Sequence, residues 1–480
     1  MEVGRMKVKR LLSVLLVAMM ALTLFSACTT TNSGSAVPSQ ATNAGTEKSG
    51  TDEKTSVKTD VIHVWSNDAH NRDEYMEVIN KFNETTGKEK GIKIEYKVYG
   101  GDYYNSLDIA ISANEEPHLF KSMKTGQYAE TGRVVAISDL PGGDKLIEET
   151  SKYHFEDIGM FNGKVYGIPI RVTTQNMIYN KEMLSKMGYD NPPVTWEEFR
   201  KVAKEITEQG GGKVYGTGLP LKYTNFKYYG IIWPAAASNG IQFFSHKTGK
   251  FDFMSLEPYF NFLLQLKEDG SIFPGFETMD YDTLRAQFAE GNIGMYFGAS
   301  FDVGVLYDQF PAKFEWGVAP IPVMDANNRY KQIGTPGAFY VVSSRALKEK
   351  IEDKVMEAYK MFVSPETLAL TYEKGKDIPI RGEEIIKLAG TPERPQWPMF
   401  TDLTNVYVRL AYPESKITIE GDNYDVVFSK ILTGVAKPAE ALKELDDRYN
   451  SFLQKAIDSG ALDINLYLDP NYDENVKYVK

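Results

Sequence analysis

The apolar residues of this chain switch period twice between residues 61 and 98, and that switch restricts the fold more than any other feature. Val61-Ile62-His63-Val64-Trp65 reads as a strand. After a polar stretch at 66–73, Tyr75, Val78, Ile79 and Phe82 fall at i, i+3, i+4 and i+7, the apolar stripe of a helix. Gly87 stops that run, and Ile92, Ile94, Tyr96 and Val98 alternate again. Two strands joined across a helix run parallel, and a parallel sheet needs helices on its faces. The expected class is α/β.

The alternation continues towards the C-terminal end. Thr195 and Glu198 have the spacing of a capping box, and Val194 and Phe199 that of a hydrophobic staple. Phe199, Val202, Ala203 and Ile206 predict a helix over 196–209, which Gly210-Gly211-Gly212 ends. Pro438 suits the first turn of another helix, with Leu442, Leu445, Tyr449 and Leu453 along one side. Strand-like segments recur at 164–170, 294–297, 316–319 and 339–342.

The first 59 residues follow neither period. Arg5, Lys7, Lys9 and Arg10 precede an apolar run over 11–25, and Ser26 and Ala27 precede Cys28. A basic start, a short apolar run and small residues predict an export signal over 1–27. The run is shorter than the ~20 residues that a spanning helix needs. Phe25-Ser26-Ala27-Cys28 resembles the bacterial lipobox, in which the cysteine becomes the lipidated first residue of the mature protein. Leucine is commoner where Phe25 stands. Cys28 is the only cysteine, so a disulfide within the chain is impossible. Residues 29–59 have too few large apolar side chains to offset the entropy of ordering. Residues 28–59 are therefore expected to be a lipidated cysteine and a flexible tether, reaching ~30 Å on average. The chain is expected at the outer face of the cell membrane, held there by its lipid anchor.

About 420 residues remain beyond the tether, which suggests two domains rather than one core. The formal net charge is −11. Residues 1–27 hold four bases and one acid, so the rest of the chain is near −14. That charge argues against nucleic acid or an anionic membrane surface as partner.

Five stretches carry a family resemblance. They are Gly163-Lys164-Val165-Tyr166-Gly167-Ile168-Pro169-Ile170 followed by Met177-Ile178-Tyr179-Asn180-Lys181; Pro192-Pro193-Val194-Thr195-Trp196-Glu197-Glu198-Phe199; Phe288-Ala289-Glu290-Gly291-Asn292-Ile293-Gly294-Met295; Gly317-Val318-Ala319-Pro320-Ile321-Pro322; and Ile431-Leu432-Thr433-Gly434 before the helix from Pro438. In this order, behind a lipobox, they resemble the extracellular solute-binding proteins of ABC importers, the group that includes maltose-binding protein. The chain departs from the family at Glu116-Pro117-His118-Leu119-Phe120, where His118 stands in place of an acid. The resemblance implies a two-lobed periplasmic-binding-protein-like fold with a ligand cleft between the lobes. Lobe one would be 60–169 plus 320–363, and lobe two 170–319 plus 364–480. It also implies a carbohydrate ligand, most simply an oligosaccharide, delivered to an ABC permease by a monomer that needs no cofactor.

Ligands of open α/β sheets sit beyond the carboxyl ends of the strands. Trp65, Asn67 and Asp68 follow the first strand, so Trp65 could stack on a sugar face while Asn67 and Asp68 bond hydroxyls. Arg171, Gln175 and Asn176 follow the segment that would cross into lobe two. Phe301 and Asp302 follow a strand in the segment that presents an aromatic ring in relatives. Trp233, Phe339, Arg381 and Trp397 are further candidates, each equally readable as packing.

Other classes leave weaker traces. G-x-S-x-G, H-E-x-x-H and G-x-x-x-x-G-K-[ST] are absent. His63, His70, His118, His154 and His246 have no metal-ligand spacing. The 65 acids leave a glycosidase-type carboxylate pair open. The same fold could also bind a metal ion, a polyamine or a phosphorylated polyol. The pairs Tyr103-Tyr104 and Tyr228-Tyr229 do not suggest ferric ligation, since neighbours on a strand point to opposite faces.

Overall fold

The computed structural model describes residues 58–100, 102–122, 124–222, 232–337, 339–408 and 412–471. Cys28, the leader, most of the tether and the Tyr228-Tyr229 pair lie outside the described residues.

The first period switch folds as its spacing dictates. Strand Asp60–Ser66 pairs in parallel with strand Ile92–Val98, and helix Arg72–Glu84 lies between them in sequence. Tyr75, Ile79 and Phe82 of that helix are buried. Leu119–Lys121 adds a parallel strand on the other side of Asp60–Ser66, and Tyr340–Ser343 pairs antiparallel with it. The five-stranded sheet closes on Val134–Val135. Tyr103-Tyr104 opens a helix, Tyr103–Ala113, rather than a strand, and the two rings meet edge to face at 5.1 Å.

A second sheet has the order Tyr215–Thr217, Ile293–Ala299, Gln175–Asn180, Trp316–Ala319. All seven residues of Ile293–Ala299 are buried, as expected of a strand covered on both faces. Helix Trp196–Gln209 packs on this sheet, with Phe199, Val202, Ala203 and Ile206 buried. Burying each large side chain stabilises by about 1.5–3 kcal/mol. Its capping box forms as expected: the Thr195 hydroxyl accepts from the Glu198 amide, and the Glu198 carboxylate accepts from the Thr195 amide. Val194, the expected staple partner of Phe199, is 44% exposed. Helix and sheet approach closely at Gly216, where a Cβ would lie 2.3 Å from the Ala203 backbone. Helix Pro438–Asp458 buries Leu442, Leu445, Tyr449 and Leu453, the side read from the sequence.

Among the described residues three hydrophobic clusters accompany these sheets, a small one around Tyr103 and Phe120 and two large cores between which the chain passes repeatedly. Ile62 to Ile170 supply the first core and Val172 to Ile333 the second. Tyr340 to Ala369 return to the first, and most of the core residues from Tyr372 onward join the second. Ile321 and Ile333 therefore pack in the second core and Leu368 and Ala369 in the first, beyond the positions 320 and 364 at which the motifs suggested the chain would cross. The passing segments pair with one another. Arg171–Thr173 lies between Ile378–Pro379 and Gln332–Gly337 in a third, four-stranded sheet that ends on Val406–Val408. Among the described residues no helix is long and apolar enough to cross a membrane.

Candidate functional site

The carboxyl ends of two first-sheet strands meet the connecting sheet at a buried cluster of charges. Asp68 follows Asp60–Ser66, and Lys121 ends Leu119–Lys121. Arg171 opens its connecting strand, and Asp377 precedes Ile378–Pro379. Lys121 Nζ donates to Asp68 Oδ2. Arg171 Nη1 lies 2.8 Å from Asp68 Oδ2 and 3.0 Å from Asp377 Oδ1, and its Nη2 lies 3.3 Å from Asp68 Oδ1. His70 Nε2 is 3.0 Å from Asp377 Oδ1, and Asn71 Nδ2 donates to Asp377 Oδ2 at 2.5 Å. Two cations and two anions thus balance in a nearly dry space.

Electrostatics keep these groups ionised. Burial would raise the pKa of Asp68, but Arg171 and Lys121 outweigh it and hold the carboxyl well below the usual range. Burial likewise works against Asp377, and the Arg171 charge, with the hydrogen bond from His70 Nε2, overcomes it. Burial lowers the pKa of Lys121 against the pull of Asp68. The two carboxylates raise that of Arg171 despite its burial.

The second sheet brings Phe301 to the same place. It follows Ile293–Ala299, and its ring centroid lies 6.0 Å from that of His70. The Arg285 guanidinium sits over the Phe301 ring at 5.4 Å. Loops from both sheets therefore meet within one ring contact of the charge cluster. On the first-sheet side, Trp65 is half-buried, with Tyr99 at 4.6 Å and the Lys97 ammonium 5.6 Å from its ring. Asn67 Nδ2 is 3.4 Å from the Tyr104 hydroxyl. Gln175 and Asn176 are buried opposite Ala299 and Gly298. Asn176 donates to the Met399 carbonyl and accepts from Gln332. A separate groove of about 690 Å³ runs along strand Trp316–Ala319, between Tyr179, Tyr307 and Pro398.

Several expected contacts are corrected by packing. Trp233 is 3% exposed and stacks on Phe243 at 3.5 Å, inside the second core. Trp397 is fully buried against Tyr372. Neither ring can serve as a sugar platform. Asp302 is buried, and its carboxylate accepts from Arg285 at 2.7 and 2.9 Å, from the Tyr296 hydroxyl at 3.3 Å and from the Ala299 amide at 3.2 Å. Asp68 is also occupied, by Lys121 and Arg171. Phe339 packs on the first-sheet cluster around Tyr103, over Gly167, where a Cβ would lie 2.5 Å from its ring. Arg381 pairs with Glu384 within its own turn. His118 is a structural residue: it is buried, its Nδ1 accepts from the His63 amide, and its Nε2 is 3.1 Å from Glu349. The residues that sequence reasoning missed are His70, Lys121 and Asp377. Lys121 could have been noticed as a cation closing the apolar pair Leu119-Phe120, whereas Asp377 carries no local signal.

The sequence profile of the bacterial extracellular solute-binding proteins matches residues 68–367. The chain belongs to that family. A maltotriose-binding protein of Pyrococcus abyssi is 28% identical over 226 residues, 46% of this chain and 45% of that protein. A maltooligosaccharide ABC transporter solute-binding lipoprotein of Streptococcus pneumoniae is 25% identical over 331 residues, 64% of this chain and 70% of that one. The chain spans about half the length of several curated relatives that it matches. Among solved structures, the GacH receptor of Streptomyces glaucescens, studied unliganded and with acarbose, superposes with a TM-score of 0.67 at 17% identity, covering 82% of this chain and 99% of that one. The fold is the two-lobed one of the solute-binding proteins.

Proposed function

We propose that the chain captures a carbohydrate, most simply an oligosaccharide, between its lobes and delivers it to an ABC importer without altering it. The observation that carries this reading is the convergence of Phe301 from one sheet and the 65–71 loop from the other beside the connecting strands. The residues that would contact the sugar are Trp65 and Phe301 through their rings, and Asn67 and His70 through hydrogen bonds, whereas the Asn176 amide is already taken by Met399 and Gln332. Arg171 and Asp68 hold the loop rather than the ligand. The relatives and structural neighbours named above bind maltotriose, maltooligosaccharide and acarbose, which supports the same ligand class. Cys28 would carry the lipid, with residues 29–59 as the tether and the whole at the outer face of the membrane. The lobe boundaries would follow the cores, the chain crossing near 171, between 333 and 340, and near 370.

A thermal-shift screen tests the reading. A bound sugar at a hundredfold excess over Kd adds about 2.7 kcal/mol. A shift with one oligosaccharide class, and recovery of that sugar intact, is expected. A shift with spermidine, a metal ion or a sugar phosphate and with no neutral sugar overturns the ligand class, and turnover of the sugar overturns the binding role. Labelled palmitate should enter the wild-type protein in cells but not Cys28→Ala.

A further inference from the structure

We propose that His70, oriented by Asp377, is the specificity-determining hydrogen-bond acceptor of the cleft: its Nδ1 receives a hydroxyl of an uncharged sugar ring bound beside Phe301. This rests on the carbohydrate reading above and narrows it. Three features of the structure carry it.

The first is the tautomer. His70 Nε2 lies 3.0 Å from Asp377 Oδ1. An ionised carboxylate only accepts, so Nε2 carries the hydrogen. Arg171 Nη1 stands farther from the same nitrogen, at 3.4 Å, and is engaged by both carboxylates. In the neutral ring Nδ1 is then an acceptor, and it has no hydrogen-bond partner among the described residues. Asp377 is fixed in turn by Arg171 and by Asn71, so the ring is held in orientation as well as in tautomer.

The second is the charge balance. Around His70 stand Asp377 and Arg171 from the connecting segments, Asp68 and Lys121 from the first sheet, and Arg285 behind Phe301. Asp68 and Asp377 answer Lys121 and Arg171, and Arg285 is answered by Asp302. A phosphate, a carboxylate or a polyamine entering between His70 and Phe301 would lose water and meet, among these described groups, only charges already paired. A neutral hydroxyl incurs no such penalty.

The third is position. The oxygens of Asp68, the natural hydroxyl acceptor after the first strand, are taken by Lys121 and Arg171. His70 stands two residues on, with its ring against Phe301 of the other lobe. At 6.0 Å the two rings touch, so a sugar ring enters by parting them as the lobes open. Its apolar face then meets Phe301 while a hydroxyl meets His70.

The test uses the whole protein with 15N-labelled histidine, and maltotriose, raffinose, glucose 6-phosphate and spermidine as probes. Two-bond 1H–15N spectra of the unliganded protein should show His70 as the Nε2–H tautomer, a preference that Asp377→Asn loses. An Nδ1–H tautomer in the wild type overturns the proposal before any probe is added. A neutral sugar that binds should move the His70 Nδ1 resonance. His70→Leu should weaken it about tenfold, the scale of one hydrogen bond, and His70→Gln, which keeps an acceptor, should recover most of the loss. Tight sugar binding with Nδ1 unmoved and His70→Leu unaffected overturns the role of His70 while leaving the carbohydrate reading standing. Binding of glucose 6-phosphate or spermidine in place of either sugar overturns both.

Discussion

Asp68 is 7% exposed and carries two cations on one carboxylate. Removing it leaves Lys121 and Arg171 with unbalanced charge in a space that water hardly reaches. Asp68→Ala should lower the unfolding free energy by about 3–5 kcal/mol, the usual result of breaking a buried pair from one side. Urea titration with an unchanged m value checks it. His118 gives the residue scale a pH dependence. Burial lowers its pKa below the ordinary 6.5, against the opposing pull of Glu349. Between the native value and 6.5 the unfolded chain therefore binds more protons than the native one, and stability falls as pH drops through that window. Protonation also puts a hydrogen on Nδ1, which accepts from the His63 amide in the native state. The urea midpoint of the wild type should fall more between about pH 7.5 and 5.5 than that of His118→Gln.

At the scale of elements, the helix Trp196–Gln209 offers two tests of different size. Thr195→Ala removes the capping hydroxyl and should cost about 1 kcal/mol. Gly216→Ala places a methyl 2.3 Å from the Ala203 backbone, which cannot rotate away as a side chain would. The helix must then lift from its sheet, at a cost of about 3 kcal/mol, the upper end for overpacking. Thermal unfolding of both variants should rank them in that order. The same helix is legible in the sequence because its stripe, cap and glycine stop are all local. The tryptophans are not legible there. Trp233 and Trp397 belong to elements of five and four residues, too short for a periodic pattern to reveal which side is buried.

At the scale of the molecule, Lys376 links elements packed on the two different sheets through the connecting segment. Its ammonium is 3.6 Å from Glu74 on helix Arg72–Glu84 and 2.7 Å from Asp308 in the turn Val305–Gln309, which Arg394 also reaches at 3.0 Å. The Lys376 and Glu74 side chains are each 12% exposed, so solvent screens their pair less than a surface one. Lys376→Met should shift the unliganded protein towards an open state, seen as a larger radius of gyration in small-angle scattering. Ligand release should be faster in the same variant. An unchanged radius would show that the chain of ion pairs does not govern closure.

Interactions of short range account for the strands and helices that could be read from the order of residues alone. Hydrogen bonding between near neighbours and the repeat of apolar residues at two or at 3.6 specify strands and helices. Their order selects an α/β chain, and the spacing of Thr195 and Glu198 starts a helix where it is found. Charge and the single cysteine narrow the partners in the same way. Which polar side chains share a site was settled by the packing of the whole chain. Asn71 and Asp377 are 306 residues apart, and Asp68 and Arg171 are 103 apart. They meet because the chain crosses between two cores and pairs its crossing segments in one small sheet. Burial then compelled each charge to find a partner, which turned Asp68 and Asp302 from prospective ligand contacts into supports. It left His70, silent in the sequence, facing Phe301.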